Sequence, residues 1–367
     1  MISKTIFPGQ YLQGPKAFNY LFRELIKFGN SGLFIMTASC HKRMEERLMA
    51  NAGRLNTYIE EFNGECSDWE INRLSEIASN RNVDFIVAIG GGKAIDIGKI
   101  VASRCELPVA VVPTIASTDA PCSACAVVYD EDGAVLRVEY QSNNPQLVLV
   151  DSEIICEAPS RFLVSGMGDA LATWFEAEQC RLSQSKNEAG GYGSLTAFAL
   201  SRLCYETLLN NGLDALQACN KKKVTLAFEK VIEANTLLSG LGFESGGIAT
   251  AHAIHNGLTI LPQTHHFYHG EKVAFGVLSL LFLHEETKIL IDEVYRFCES
   301  VGLPTTLADI GLERITEEEL DMVANRTCRK GESIFHEVRK MTHELVKQII
   351  MAADEEGKRR KHHQQIV

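Results

Sequence analysis

The segment VDFIVAIGGGK, residues 83–93, predicts the fold of the first half of the chain. Residues 83–89 form an apolar run interrupted only by Asp84, which is typical of a strand covered on both faces of a parallel sheet. The run leads directly into GGGK at residues 90–93, and the residues that follow, AIDIGKIVAS, have apolar positions at helical spacing. A strand, a glycine turn and a helix in this order can hold a phosphate with backbone N–H groups. A tight turn without a ligand is the structural alternative.

Apolar runs on both sides of this segment repeat the alternation of strands and helices. The predicted strands are residues 31–37, 56–62, 107–113 and 146–151. Ser39 and Ser67 are expected to cap the helices that follow the first two. This alternation favours a parallel α/β sheet with right-handed crossovers. After residue 113 the chain is rich in small hydroxyl residues, and a further strand is expected to end in a turn at residues 130–133.

Beyond residue 151 the hydrophobic spacing becomes helical and the strand signals fade. A length of 367 residues suits two domains better than one core. We therefore expect an α/β domain over residues 1–157 and an all-helical domain over residues 158–367.

Composition limits the possible partners. The net charge of −11 disfavours a nucleic-acid partner, because phosphate binding needs a basic face. The sequence shows neither a long apolar window nor a secretory signal, so it predicts a cytoplasmic protein without membrane spans. The eleven cysteines stand singly and are expected to be reduced thiols. Cys122 and Cys125 form a C-x-x-C without the second pair that a zinc ribbon needs.

Histidine is concentrated in residues 245–272, which hold five of the eleven histidines in the chain. His252 and His255 lie three positions apart, so a helix would place both on one face. Neutral imidazole is the commonest metal ligand and also titrates near neutral pH. The cluster therefore indicates either a metal site or a proton relay, with polar helix ends as the structural alternative.

Asp169 is a further candidate, in the segment SGMGDALATWFEAE at residues 165–178. Because Gly166 and Gly168 come before it, we expect Asp169 at the start of a helix, where an Asp is ordinarily a cap. Oxygen and imidazole ligands without thiolate suit Zn²⁺, Fe²⁺ or Mn²⁺, and three protein ligands would leave a position for substrate. The sequence contains no H-E-x-x-H, His-Asp or G-x-S-x-G motif, which argues against zincins, a class of metal phosphohydrolases and serine hydrolases.

Five segments together carry a resemblance to a known family. They are GGGKAIDIGK from residue 90, PTIASTDAPCSA from 113, GMGDALATWFEA from 166, FESGGIATAHAIHNG from 243 and HHFYHGEKVAFG from 265. They resemble segments of the bacterial glycerol dehydrogenases, in the metal-dependent (iron-containing) alcohol dehydrogenase superfamily, and the resemblance extends from about residue 8 to about residue 334. It implies an N-terminal dinucleotide-binding α/β domain and a C-terminal helical domain that holds a catalytic metal and the substrate.

The resemblance implies roles for individual residues. One zinc per subunit, with Fe²⁺ or Mn²⁺ less expected, would be bound by Asp169, His252 and His269. Asp119 would contact the substrate, His252 would touch both substrate and metal, and proton release through His255 is a hypothesis. The resemblance gives no site role to His265 and His266, which are expected to be structural. The implied cofactor contacts are Gly91, Gly92, Lys93, Asp96, Thr114, Ser117, Ser123, Cys125 and Tyr129.

The implied reaction is the reversible, NAD-dependent oxidation of glycerol to dihydroxyacetone, with hydride transfer from the substrate alkoxide. A small polyol is therefore the expected partner. A dehydrogenase for another vicinal diol or hydroxyketone, and a lyase like dehydroquinate synthase, are the alternatives. Family members form dimers and larger rings, so we expect a homo-oligomer, with an octamer among the candidates.

Two positions depart from the family pattern. Thr37 stands where the family has an acidic residue that accepts the adenosine ribose hydroxyls, with His41, Lys42 and Arg43 just beyond. Loss of that carboxylate removes a repulsion of the NADP phosphate, although NAD is still the expected cofactor. Residues 335–367 also differ from the family, which leaves the polyol preference open.

Overall fold

The central sheet contains six of the eight strands in the described part of the chain. We describe residues 2–51, 53, 55–130 and 135–366 from a computed structural model. The strands are β1 (Tyr11–Gly14), β2 (Ser31–Met36), β3 (Asn56–Glu61), β4 (Phe85–Gly90), β5 (Val109–Pro113), β6 (Cys125–Tyr129), β7 (Val135–Tyr140) and β8 (Leu147–Asp151). Six form a sheet of order β1-β8-β5-β4-β2-β3 in which all neighbouring pairs are parallel. The predicted parallel α/β sheet is confirmed, while β6 and β7 form a separate antiparallel hairpin.

Helices cover both faces of this sheet. They are α1 (Leu21–Leu25), α2 (Ala38–Asn51), α3 (Asp68–Asn80) and α4 (Gly92–Arg104), with a 3₁₀ turn at Ala17–Tyr20. In β2, Leu33 and Ile35 pack into the core that contains residues of α3 and α4. Phe34 and Met36 pack into the opposite core, with residues of α1 and α2. Successive strand residues point to opposite faces, so a strand covered on both sides is apolar throughout.

Several local predictions can be compared with the structure. Ser67 caps α3 as predicted, because its side chain accepts a hydrogen bond from Glu70 N. The predicted cap Ser39 is wrong: Thr37 Oγ1 accepts from Cys40 N at 3.3 Å, the bond that an N-cap residue makes to the third helical N–H. The sequence does not predict β1, which has only four residues, or β7, whose outward positions are exposed. The turn predicted at residues 130–133 lies largely outside the described residues.

Helices form all the regular elements between residues 152 and 366. They are α5 (Ser152–Glu157), α6 (Ser160–Ser183), α7 (Leu195–Asn220), α8 (Leu226–Glu233), α9 (Ser239–Gly246), α10 (Thr250–Leu258), α11 (His269–Leu283), α12 (Lys288–Val301), α13 (Glu317–Thr327) and α14 (His343–Ile366). A π-helical segment, Ala234–Leu238, joins α8 to α9, and short 3₁₀ turns lie at Pro262–Thr264, Leu307–Ile310 and Ser333–His336. The domain boundary between residues 157 and 158 stays a prediction. None of the described helices is long and apolar enough to cross a bilayer.

Asp169 lies in the middle of α6, and the prediction that it begins a helix is wrong. The helix starts nine residues earlier at Ser160 and contains both Gly166 and Gly168. A Cβ atom added at Gly168 would lie 2.3 Å from Gly270 O, at the start of α11. Gly168 is therefore explained by the close crossing of two helices rather than by a helix end. The Asp169 carboxylate is buried at this crossing, where it cannot serve as a cap.

Candidate active site

The predicted strand, glycine turn and helix are present at residues 85–104. Strand β4 ends at Gly90, Gly91 is the N-cap residue, and α4 begins at Gly92. Gly91 has no side chain to cap the first N–H groups of α4. These groups are therefore free of a side-chain cap and can donate hydrogen bonds to an anion at the positive end of the helix. Thr114 N donates to Gly90 O at 2.9 Å, which places the loop after β5 beside the turn.

Lys93, the second residue of α4, projects beside the hairpin of β6 and β7. Its Nζ lies 2.5 Å from Glu65 Oε1 and 4.7 Å from the centre of the Tyr129 ring. The Lys93 and Glu65 side chains are 40% and 41% exposed, so solvent screens the pair and it adds little to stability. Lys93 and Tyr129, two of the predicted cofactor contacts, are thus neighbours at the glycine turn.

Asp96 and Cys125 are both bound to one buried lysine. Asp96 Oδ1 lies 3.0 Å from Lys99 Nζ, and Asp96 Oδ2 accepts from Val127 N at 3.1 Å. Lys99 Nζ also donates to Cys125 O. These contacts fasten α4 to β6, so both residues have a structural role, and their contact with a cofactor stays a prediction.

The loop between β5 and β6 is held by the helical part of the chain. Ser117 O accepts from Ser165 Oγ at 3.2 Å, and Ala124 N donates to Glu244 Oε1 at 2.7 Å. Ser123, just before Ala124, is buried. The predicted cofactor residues of this loop are therefore positioned by helices α6 and α9.

Asp169, His252 and His269, here called the metal trio, converge from α6, α10 and α11. Their candidate ligand atoms all lie within 4.8 Å of one another, and within the described residues no other group of acidic, histidine and cysteine side chains meets this condition. Asp169 Oδ1 lies 3.0 Å from His269 Nε2 and 3.5 Å from His252 Nε2. It is buried and receives no hydrogen bond of acceptable geometry from the described residues. A buried oxygen of this kind needs a cation or a proton, so the trio fits a divalent metal.

Glu176 orients the first histidine of the trio. It is fully buried, and its Oε2 lies 2.5 Å from His252 Nδ1. Its Oε1 accepts from Ala249 N and His252 N, at 2.9 and 3.0 Å, and so satisfies the first N–H groups of α10. A carboxylate on Nδ1 holds Nε2 as the lone-pair nitrogen, which is the form that binds metal. The sequence reasoning missed Glu176, although it follows Asp169 by two helical turns and therefore shares its face.

His255 contacts the second histidine of the trio. Its Nε2 lies 3.0 Å from His269 Nδ1, and its Nδ1 lies 3.1 Å from Asn256 Oδ1. Both ring nitrogens are thus engaged with other side chains, and a proton leaving the substrate through His255 would have to pass through His269. The relay role stays a prediction.

Asp119 connects the loop after β5 to the metal trio. Its backbone N donates to Asp169 Oδ2 at 3.3 Å, and its Oδ2 accepts from Ser239 Oγ at 2.8 Å. The predicted substrate residue therefore lies next to a predicted metal ligand, although the two are 50 positions apart in the chain. Ser239 and its position at the start of α9 have no recognisable signal in the sequence.

Comparison with known proteins identifies the family of this chain. Residues 8–152 match the family model described as iron-containing alcohol dehydrogenase. The chain is 52% identical to the glycerol dehydrogenase of Thermotoga maritima over 98% of its own length and 99% of that protein. The chain belongs to the iron-containing alcohol dehydrogenase family. The resemblance inferred from the five segments is thereby confirmed.

Two further similar proteins support the assignment. The chain is 45% identical to the glycerol dehydrogenase of Citrobacter freundii, over 95% of the chain and 96% of that protein. The crystal structure of glycerol dehydrogenase from Schizosaccharomyces pombe is 35% identical and superposes with a TM-score of 0.94, covering 100% of the chain and 94% of that structure. Fold and family are therefore shared along the full length.

His265 and His266 lie outside the metal trio of this family member. Both are exposed, in the segment that leads to α11. His265 Nε2 lies 3.0 Å from Thr259 O, and His266 O accepts from Arg161. Their contacts are with backbone and with an arginine, in line with the structural interpretation.

The electrostatics of the site follow from burial and from charge. Burial alone raises the pKa of Asp169, but the neighbouring His269 and His252 outweigh it and hold that pKa below its ordinary value. Burial, and then the charge of Asp169, raise the pKa of Asp119. Burial, and then His269, lower the pKa of His255, so His255 is neutral. The site thus keeps one strongly anionic oxygen, on Asp169, facing two imidazoles.

Proposed function

We propose that this chain is an NAD-dependent, zinc-dependent glycerol dehydrogenase, which oxidises glycerol to dihydroxyacetone in a reversible reaction. The observation that carries the proposal is the metal trio beside Asp119, in a chain that is 52% identical over nearly its full length to a glycerol dehydrogenase. Zinc is favoured by ligands of one carboxylate and two imidazoles, which Fe²⁺ and Mn²⁺ can also use.

The residues of the site have distinct parts in this proposal. Asp169, His252 and His269 would hold a divalent metal, which would supply the Lewis acidity that lowers the pKa of a substrate hydroxyl, and NAD would supply the hydride acceptor. Glu176 holds the ring of His252 in the ligating tautomer. Asp119, next to the trio, can accept a hydrogen bond from a second hydroxyl, which would favour a vicinal polyol over a simple alcohol. The N–H groups at Gly91 and Gly92, at the positive end of α4, would bind the cofactor pyrophosphate.

A neighbouring carboxylate supports NAD over NADP despite Thr37. Glu61, the last residue of β3, is paired in register with Met36, directly before Thr37. Its Oε1 lies 3.4 Å from His41 Nδ1, in the first turn of α2. Since the carboxyl ends of parallel strands meet at one edge of the sheet, the Glu61 carboxylate lies near Thr37 and would repel an NADP phosphate bound beside that residue. Replacing Glu61 by Gln is expected to raise the rate with NADP relative to NAD.

A polyol panel with metal-depleted and reloaded enzyme tests the proposal. Zinc should restore NADH formation from glycerol after chelation, and glycerol should be oxidised faster than monohydric alcohols of the same size. Asp169→Asn should abolish turnover because it removes the anionic ligand, whereas Asp214→Asn, at an exposed site on α7, should have no effect. Undiminished glycerol oxidation in Asp169→Asn, or in metal-free enzyme, would contradict the proposal.

The alternative reactions are not favoured by the relatives, and the same assays separate them. A dehydrogenase for another diol or hydroxyketone would accumulate NADH faster from that substrate than from glycerol. A lyase like dehydroquinate synthase would return its cofactor oxidised, so no NADH would accumulate. A cytoplasmic location and a homo-oligomer remain predictions, and light scattering of the purified chain tests the second.

A further inference from the structure

A chain of hydrogen bonds leads away from the second histidine of the metal trio. His269 Nδ1 lies 3.0 Å from His255 Nε2, and His255 Nδ1 lies 3.1 Å from Asn256 Oδ1. Asn256 Nδ2 donates to Glu332 Oε2 at 2.9 Å, and Glu332 Oε1 accepts from Arg326. This series of hydrogen bonds therefore connects α11, α10, the segment before Ser333–His336, and α13. Its outer members are only partly exposed, at 27% for the Arg326 side chain and 15% for Glu332.

The chemistry of Arg326 and Glu332 fixes which side chain donates in each hydrogen bond of the series. A guanidinium can only donate hydrogen bonds, and an ionised carboxylate can only accept them. Glu332 must therefore receive the NH₂ group of Asn256, which leaves Asn256 Oδ1 to face His255. That oxygen can only accept, so His255 carries its proton on Nδ1 and its lone pair on Nε2. His269 must then donate from Nδ1, and its lone pair remains on Nε2, which faces Asp169 Oδ1.

We propose that Glu332 and Asn256 are positioning residues that act through His255 to hold His269 in its metal-binding tautomer. The inference rests on the proposed metal site. The arrangement resembles the support of His252. Glu176 contacts His252 directly, whereas the Glu332 carboxylate is separated from His269 by two intervening side chains. A buried partner on the other ring nitrogen fixes ring orientation and raises ligand basicity.

The variant Glu332→Gln tests the direction of the chain. A glutamine must present its oxygen to Arg326 and its NH₂ group to Asn256, so Asn256 is expected to turn its own NH₂ towards His255. His255 would then carry its proton on Nε2, facing His269, and His269 would be driven to the tautomer that cannot bind metal through Nε2. We expect zinc affinity to fall about 10- to 100-fold, the usual range for the loss of a partner behind a metal ligand.

A second substitution should reverse this effect. In the double variant Glu332→Gln with Asn256→Asp, the carboxylate is moved one position along the chain. The new carboxylate accepts from both the glutamine and His255 Nδ1, so the original direction returns. We expect zinc affinity within a few-fold of wild type. If Glu332 had a merely structural role, no such rescue would be expected, because two substitutions would disturb the packing more than one.

Two measurements read the outcome without glycerol or NAD. Zinc affinity is measured by competition with a coloured chelator, and the protonated nitrogen of His255 is identified in metal-free enzyme by nitrogen NMR of histidine-labelled protein. Glu299→Gln, which changes a comparable pair with Arg360 between α12 and α14, is the matched control and should alter neither. Wild-type zinc affinity and an unchanged His255 tautomer in Glu332→Gln, or a double variant as weak as the single one, would overturn the inference. If zinc binds as expected but glycerol is not oxidised, the proposed function fails and this inference stands.

Discussion

The glycine turn at residues 90–92 and the metal trio are built in opposite ways. The turn belongs to one continuous stretch, in which β4, Gly91 and α4 follow one another without interruption. The trio takes one residue from each of α6, α10 and α11, and 83 residues separate Asp169 from His252. Local backbone geometry is enough to form the glycine turn, whereas the metal trio exists only where helices cross. Substitutions at helix crossings should therefore damage the metal site more than comparable substitutions damage the turn.

The largest effect is expected for Gly270→Ala. A Cβ atom there would lie 1.8 Å from Ser165 O and 2.8 Å from Asp169 N, both backbone atoms that cannot rotate away. Helices α6 and α11 must separate, at a cost of about 3 kcal/mol or more, and carry Asp169 away from His269. The urea concentration at the unfolding midpoint and the zinc affinity should both fall. The matched change at the turn is Gly92→Ala, whose Cβ would approach only Thr118 Oγ1, at 3.9 Å, so its unfolding midpoint should stay close to wild type.

Glu176→Gln should impair the metal site without such steric damage. The amide NH₂ would face His252 Nδ1 and favour the tautomer with its proton on Nε2, directed at Asp169. Zinc affinity should drop about 10- to 100-fold, together with turnover at saturating glycerol. Glu178→Gln, on the same helix and paired with Arg181, is the control. Equal zinc affinity in both variants would show that the ligand histidine does not depend on this carboxylate.

Glu244 joins α9 to the loop before β6 and should make stability depend on pH. It is buried on α9, where it accepts from Ala124 N and Asn144 Nδ2, and burial raises its pKa from 4.5 to about 7. Between those values the folded protein binds more protons than the unfolded chain, so its contribution to stability is lost as pH rises through this window. The slope is at most about 1.4 kcal/mol per pH unit, the value for one proton. Urea midpoints across this range should flatten in Glu244→Gln, and an unchanged profile would exclude Glu244 as the source.

The smallest effect is expected for Lys93→Met at the turn. Lys93 and its partner Glu65 are half exposed, so the unfolding midpoint should hardly change. Loss of a charge beside the pyrophosphate should raise the KM for NAD, by roughly 10-fold for a charge-assisted contact, and leave zinc affinity intact. A fall in zinc affinity would mean that the turn and the trio are not independent.

Part of the site was predictable because its signal is local. The apolar run before Gly90 and the helical spacing after Lys93 predict a turn at the end of a buried strand, and the structure contains it. The spacing of His252 and His255 places both on one helix, as found. Gly168 misled the sequence reasoning, since a glycine suggests a helix end in isolation but here makes room for Gly270 O. The partners Glu176, Ser239 and Glu332 are ordinary polar residues in the sequence, and only their neighbours give them a role.

The sequence alone determined the alternation of strands and helices, the glycine turn and the family resemblance, because each depends on neighbouring residues or on segments read in order. Tertiary structure alone decided that Asp169 Oδ1 lies buried between two imidazoles, and that His269 is connected through His255 and Asn256 to Glu332. The physical reason is that a metal site depends on distances of a few ångströms between side chains far apart in the chain. Those distances follow from how closely α6, α10 and α11 pack.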